Sequence, residues 1–249
     1  PSSSQATFTS PTTKAPTFCV VLPMYNEEAC AEACITTIYN HISKMPMRTA
    51  IVAVNDGSKD RTLEILEGLK AKAPSLIVEN HIVNQGYGGA NVTGAKRGLQ
   101  EGFDYILFMD GDLTQRVDYI DLFVKEMARG TDFIKATRYS KGGGVDGVPF
   151  KRWIVSYVGN LLAYIFFRLP IRDYTNGFRA VRAELVGQLQ AKEKGFAYLI
   201  EEVFQISKIA KTYAEVPYIL TVRQEEASQS KFSYSFRTYW NYLKYLVKR

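Results

Sequence analysis

The chain predicts a single α/β domain built on a mostly parallel sheet flanked by helices. Three observations predict it. Short β-branched runs alternate with longer segments whose apolar residues recur at helical spacing, the order that joins parallel strands through crossover helices. Of the 249 residues, 46% are hydrophobic and 13% aromatic, enough to bury one sizeable core. Charged residues make up 22%, a globular rather than a disordered composition.

The elements follow in order. Residues 1–16 (PSSSQATFTSPTTKAP) are rich in Ser, Thr and Pro and lack the apolar centre of a signal peptide. They read as a disordered leader before a domain at 17–233. FCVVLP (18–23) and AIVAVND (50–56) are expected as buried strands, with SLIVENHIV (75–83) and DYILFMD (104–110) as two more. Helices are expected over 28–42, 60–73 and 87–102, the second capped by Ser58. Segment 154–167 (IVSYVGNLLAYIFF) is too short for a membrane span and is interrupted by Ser156, Gly159 and Asn160. With Arg152 and Arg168 at its ends, it predicts a buried or interface-lying helix. The tail 234–249 (YSFRTYWNYLKYLVKR) mixes rings and cations, which predicts an amphipathic helix at a membrane interface or the stub of a longer chain.

Charge is unevenly placed. Residues 1–150 carry 15 Lys/Arg against 17 Asp/Glu, whereas residues 151–249 carry 16 against 8. The second part therefore faces something anionic, and nucleic acid, a membrane surface and a phosphorylated substrate all fit. Cys19, Cys30 and Cys34 form no even framework and no CxxC pair, so buried free thiols are expected. Two histidines, His41 and His81, leave little room for a zinc site. The phosphate-loop pattern ending in Gly-Lys-Ser/Thr is absent, as is a Gly-x-Ser-x-Gly elbow. The Gly86–Gly89 stretch fails the dinucleotide spacing, because Asn91 stands three residues after Gly88.

In parallel sheets, ligands bind beyond the carboxyl ends of strands. The residues just after the four expected strands carry the unusual chemistry: Pro23-Met24-Tyr25-Asn26-Glu27, Asn55-Asp56-Gly57-Ser58, Asn84-Gln85-Gly86-Tyr87-Gly88-Gly89 and Asp110-Gly111-Asp112. Two carboxylates one residue apart suit a hard divalent cation that neutralises a diphosphate. Alone, Asp-Gly-Asp is equally an ordinary turn. Its company at three other strand ends favours the cation.

The stretches VVLPMYNEE (20–28), VNDGSKDRT (54–62), NQGYGGA (84–90) and MDGDL (109–113) resemble the family 2 glycosyltransferases of the Rossmann-like GT-A fold. TRYSKGGGVDGVPFKR (137–152), RDYTNGFRAVR (172–182) and GFAYLIEEVF (195–204) are most similar to the dolichol-phosphate mannose synthases and polyprenyl-phosphate glycosyltransferases within that family. The likeness spans residues 18–231.

The resemblance implies that Pro23, Tyr25, Glu27 and Asp56, with Gln85, Gly86 and Gly111, hold a nucleotide-sugar donor. It implies that Asp110 and Asp112 hold Mg²⁺ or Mn²⁺ against the diphosphate, with Gln115 as a third metal contact. Arg138, Arg152, Arg223, Ser230 and Lys231 match the groups that grip an acceptor phosphate, as a guanidinium fork does well. The 223–231 element is longer than the family's and lacks its glycine. The catalytic set implied is Asp112, Arg138, Arg152, Asp173 and Glu201. A phosphomonoester acceptor is already anionic near neutral pH, so Glu201 and Asp173 are expected as organisers. With a sugar hydroxyl as acceptor, Glu201 would be the general base. The expected reaction is inverting hexose transfer, from GDP-mannose first or UDP-glucose next, to a polyprenyl phosphate at the cytoplasmic face of a membrane. A soluble transferase acting on a sugar hydroxyl or small phosphorylated acceptor is the alternative; no nucleic-acid partner is expected.

Overall fold

The computed structural model describes residues 15–221 and 244–245, with Lys151 and Arg152 described by backbone alone. The first half runs β1 (Phe18–Met24), α1 (Ala31–Ile42), β2 (Thr49–Asp56), α2 (Thr62–Leu69), β3 (Leu76–His81), α3 (Gly86–Gln100) and β4 (Tyr105–Phe108). A 3-10 turn (Val117–Tyr119) leads into α4 (Ile120–Ala128), β5 (Phe133–Thr137), β6 (Gly144–Val145) and α5 (Phe150–Phe167). Then come β7 (Arg179–Arg182), α6 (Ala183–Val186), α7 (Tyr198–Ile206), β8 (Tyr213–Pro217) and β9 (Ile219–Leu220). The four strands and three helices expected in the first half are all present, with helix starts two or three residues later for α1 and α2.

Seven strands form one sheet in the order β3-β2-β1-β4-β7-β5-β8. Every pairing is parallel except those of β7, which runs antiparallel to both β4 and β5. The period of two along β1 divides the core. Phe18, Val20, Leu22 and Met24 face the layer of α1, α2 and α4, while Cys19 and Val21 face α3, α6 and α7. The strand order switches at β1, with β2 and β3 laid down on one side of it and β4 on the other, and this is where an open α/β sheet leaves its crevice. The loops after β1 and β4 therefore face each other.

Ser58 does not cap α2. Its hydroxyl accepts from Asn26 N, while Asp60 accepts from both the backbone N and the hydroxyl of Thr62. Ser58 thus ties two strand-end loops together. Cys19, Cys30 and Cys34 are buried free thiols, as expected. Segment 154–167 is helical within α5 and is not buried as a whole: Val158, Leu161, Tyr164, Ile165 and Phe166 are each between 45 and 55% exposed. Among the described residues, no helix is long and apolar enough to cross a membrane. Of the expected leader and tail, 1–14 and 234–243 and 246–249 lie outside the described residues.

Candidate active site

Four strand ends converge on one cleft of about 450 Å³, whose lining includes Pro23, Tyr25, Glu27, Asp56, Gly86, Asp110, Gly111 and Asp112. Backbone geometry is specialised at its rim. Asn26 and Leu113, one after each loop, sit in the left-handed region at φ 51° and 59°. Asn tolerates this; for Leu it costs about 1 kcal/mol, a strain that tends to be kept where a loop must be aimed.

Asp56 closes one wall. Its Oδ1 accepts from Gln85 N at 2.8 Å and faces His81 Nδ1 at 2.7 Å, and its Oδ2 accepts from Gly86 N at 2.9 Å. His81 is held in turn by Thr93 Oγ1 at 2.9 Å from Nε2. Gly86 starts α3 at φ +82°, and a Cβ there would stand 2.5 Å from the Lys194 carbonyl oxygen. Only glycine fits that junction. Gln85 contributes its backbone to Asp56 and is not part of the cleft lining.

The opposite wall carries the paired aspartates. Asp112 Oδ1 accepts from Thr114 N and Thr114 Oγ1, an Asx turn that fixes the loop after β4. Asp110 is held from two sides: Tyr87 OH donates to Oδ1 at 3.2 Å and Gln115 Nε2 to Oδ2 at 2.7 Å. Gln115 Oε1 also accepts from Asp110 N at 3.0 Å. Both ends of the Gln115 amide are thus turned onto Asp110, and Gln115 holds that residue in place. Burial, then the Asp110 charge, pushes the Tyr87 phenol well above its ordinary range, which keeps it a donor to that carboxylate.

Two carboxylates on one wall fit Mg²⁺ or Mn²⁺, hard cations satisfied by one or two protein oxygens when substrate phosphates and water complete the shell. Among the described residues there is no cluster of three or more His, Cys, Asp or Glu side chains close enough to form a cage of their own.

The third wall was not legible beforehand. Tyr87 stacks on Phe196 with ring centroids 4.7 Å apart, and Gly195 and Phe196 join the lining. The loop that carries them is anchored by Glu201, whose carboxylate accepts from Lys192 N and Glu193 N at 2.8–3.1 Å and from Tyr245 OH at 3.0 Å. Glu201 is buried and faces this loop, outside the cleft lining. The bonds it makes are to this loop and to Tyr245, with no arginine among them. The signal that could have found the wall is an aromatic flanked by glycines at a helix start, Tyr87, paired with a second Gly-aromatic step, Gly195-Phe196.

Arg138 and Asp173 come together beneath the neighbouring surface. The guanidinium donates to Asp173 from Nε at 2.7 Å and Nη2 at 2.9 Å, and Nη2 reaches Thr175 Oγ1 at 3.2 Å. Burial works to raise the Asp173 carboxyl, and the Arg138 guanidinium overrides it, holding the group below the usual range. A second, smaller cavity of about 290 Å³ opens beside this pair, lined by Tyr139, Arg172 and four residues of α5 including Asn160. Arg152 stands on α5 in the backbone, and its side chain lies outside the described residues, as do Arg223, Ser230 and Lys231.

The sequence model for glycosyl transferase family 2 matches residues 19–189, more than half of the chain. The chain belongs to that family. This family 2 glycosyltransferase is 28% identical over 212 residues to an undecaprenyl-phosphate mannosyltransferase of Micrococcus luteus, covering 80% of this chain and 86% of the relative. It is 29% identical over 233 residues to a dolichol-phosphate mannosyltransferase of Pyrococcus furiosus, covering 92% of this chain and 62% of the archaeal protein. Among solved structures it superposes with a TM-score of 0.68 on glucosyl-3-phosphoglycerate synthase from Mycobacterium tuberculosis in complex with Mn²⁺, UDP-glucose and phosphoglyceric acid. That match is 18% identical and covers 93% of this chain and 80% of the other, and it shows the GT-A fold.

Proposed function

We propose that the protein transfers one hexose, with inversion, from a nucleotide diphosphate sugar to a polyprenyl phosphate at a membrane surface. One observation carries the reading: the loops after four parallel strands meet in a single cleft with Asp110 and Asp112 on its wall, and the Arg138–Asp173 pair lies on the adjoining side. A base and ribose fit the Asp56 end, where a strand-end carboxylate accepts hydroxyl or N–H donors. Asp110 and Asp112 would hold Mg²⁺ or Mn²⁺, which supplies charge neutralisation to the departing nucleoside diphosphate. Gln115 and Tyr87 keep the Asp110 carboxylate aimed, and the Tyr87–Phe196 stack walls off water on that flank.

The acceptor reading is supported by the relatives' names and by Glu201. A hydroxyl acceptor must lose a proton, and the carboxylate expected for that task is turned into its own loop. A phosphomonoester brings its own negative charge and needs only a cationic seat and alignment. Arg138 keeps Nη1 donors beyond its bonds to Asp173, and Arg152, Arg223, Ser230 and Lys231 are assigned to the same seat by their sequence positions. The exposed apolar surface of α5, next to the second cavity, suits the headgroup boundary on the cytoplasmic side where nucleotide sugars occur. GDP-mannose is the favoured donor and UDP-glucose the next.

The test is a donor panel with Mn²⁺ and a short polyprenyl phosphate, reading released GDP or UDP and the anomeric configuration of the lipid product. Turnover on the lipid phosphate supports the reading. Transfer to a soluble sugar or small phosphorylated acceptor in its place sinks it.

A further inference from the structure

Beneath the wall that separates the two anion sites lies a fully buried lysine that the reaction outlined above does not use. Lys135 sits on β5 with no solvent exposure, directly paired in register with Arg179 of β7. Lysine is almost never buried without a partner, because stripping water from an ammonium costs several kcal/mol. Here two nearby carboxylates are already taken: Asp173 by Arg138, and Glu202 by Arg179 at Nε and Nη2. Three cations, Lys135, Arg138 and Arg179, therefore face these two carboxylates and Glu215 of β8, and among the described residues Lys135 is the one of the three without an ion pair of its own.

Its hydrogen bond shows what it holds. Lys135 Nζ donates to the Asn176 carbonyl at 2.6 Å, and Arg179 Nη1 donates to the next carbonyl, Gly177, at 2.7 Å. Asn176 Nδ2 adds a bond to Ala136 O at 2.6 Å. Two successive carbonyls are thus drawn into the core by two buried cations. The other side of the same segment is pressed against the metal-binding wall: a Cβ on Gly177 would stand 2.4 Å from Tyr87 OH and 2.6 Å from Asp110 Oδ1. Two and four residues earlier, Thr175 Oγ1 and Asp173 meet Arg138. One short stretch, 173–177, touches both anion sites.

We infer that Lys135 is a positioning residue for sugar transfer: by drawing the Asn176 carbonyl inward, it fixes the spacing between the Asp110 carboxylate and the Arg138–Asp173 pair. The inference rests on the proposed reading that a diphosphate and an acceptor anion occupy those two places. Alignment of two reactants is where ångström errors are most costly in rate. The Lys135 charge beneath the wall acts in the same direction, toward a leaving group that gains negative charge. Burial, followed by the Arg179 charge, pushes the Lys135 ammonium down to about 7. The groups facing it are Arg179 on β7, Arg138 after β5, Asp173 before β7 and Glu202 on α7, with Glu215 of β8 as its direct register partner. As pH rises through that range the ammonium loses its proton, and its charge-assisted bond to the carbonyl weakens to that of a neutral amine.

Lys135→Met places an apolar chain of similar length in the same buried position, so the variant is expected to fold and to melt at or above the wild-type temperature. On whichever acceptor the wild type uses, kcat is expected to fall about tenfold or more while donor KM moves less than about threefold. The wild-type loss of kcat on raising pH through about 7 is expected to vanish in the variant. Unchanged kcat in folded Lys135→Met overturns the inference, and so does a loss confined to donor KM. Should that variant not fold, Gly177→Ala decides the matter from the other side: a matching kcat loss supports the inference and wild-type kcat overturns it. Failure of the acceptor reading is separate, since it would show as wild-type transfer to something other than the lipid phosphate and leave the kcat comparison standing.

Discussion

The two proposed anion sites, donor and acceptor, hold their carboxylates in opposite ways. On the donor side, Asp56 and Asp112 are fixed mainly by backbone N–H groups, and Asp110 by an amide and a phenol. Those donors are neutral, so each carboxylate is oriented yet keeps its charge for a cation or a substrate hydroxyl. On the acceptor side, Asp173 meets a guanidinium in a two-pronged pair and is neutralised by it. On the proposed reading the same residue type is a ligand in one place, and in the other it is a clamp on a cation. What differs is the charge of the partner, and that predicts which substitutions damage stability and which damage rate.

The largest effect falls on the clamp. Asp173→Ala leaves the Arg138 guanidinium almost wholly buried without its partner, and the loss is expected to be about 3–5 kcal/mol, read as a drop in the denaturation midpoint. The pH dependence follows from the sign of the shift. Because the folded carboxyl lies below its unfolded value of roughly 4, its contribution is complete above that value and drains away as pH falls through and below it. Melting curves taken between neutral and strongly acid pH should therefore be flatter on the acid side for Asp173→Asn than for the wild type. An unchanged acid limb would break the comparison.

Next comes the ligand. Asp112→Asn keeps an oxygen for the Thr114 amide while removing the charge, so the fold is expected to stand and the transfer rate to fall by about 10²–10³. Initial rates of nucleoside diphosphate release, set beside thermal melts, check both halves of that statement. A variant that lost stability as Asp173→Ala does would show that the donor carboxylates are clamps as well.

The same contrast explains what was readable in the sequence. Pro23, Tyr25, Glu27, Asp56, Asp110 and Asp112 each stand at or just past the end of a strand whose apolar run is unmistakable, and parallel topology then brings strand ends together with no further information. The acceptor side depends on β7 entering antiparallel between β4 and β5, a placement that no local pattern of Arg179–Arg182 announces. Gln115, a polar residue three positions past the second aspartate, reads by position as a ligand, and no local pattern announces that its amide closes a loop back onto Asp110. Lys135 was passed over because a single Lys in a strand normally marks a solvent-facing position.

Gly86 tests the joint between the Asp56 wall and the loop of Lys194. Alanine there meets a carbonyl oxygen and an unfavourable φ at once, with an expected cost of about 1–3 kcal/mol. Since Gly86 N donates to Asp56, the rise should appear in donor KM more than in kcat. Steady-state kinetics over donor concentration give the answer, and a pure kcat effect would separate Asp56 from donor binding.

The smallest effect on the fold should accompany the largest effect on location. Val158, Leu161 and Ile165 form a stripe along α5 at helical spacing, and each is roughly half exposed. Changing all three to Gln removes no core contact, so stability is expected to stay within about 0.5 kcal/mol per site. If the stripe lies in a headgroup layer, partition onto vesicles of anionic phospholipid should fall by roughly tenfold or more, because the apolar area that binding would bury is gone. Sedimentation with such vesicles measures this directly, and nucleotide binding in solution supplies the control, since α5 contributes nothing to the lining of the donor cleft. Unchanged partition would move the membrane contact off this helix, and then the exposure of its hydrophobic residues would need another partner.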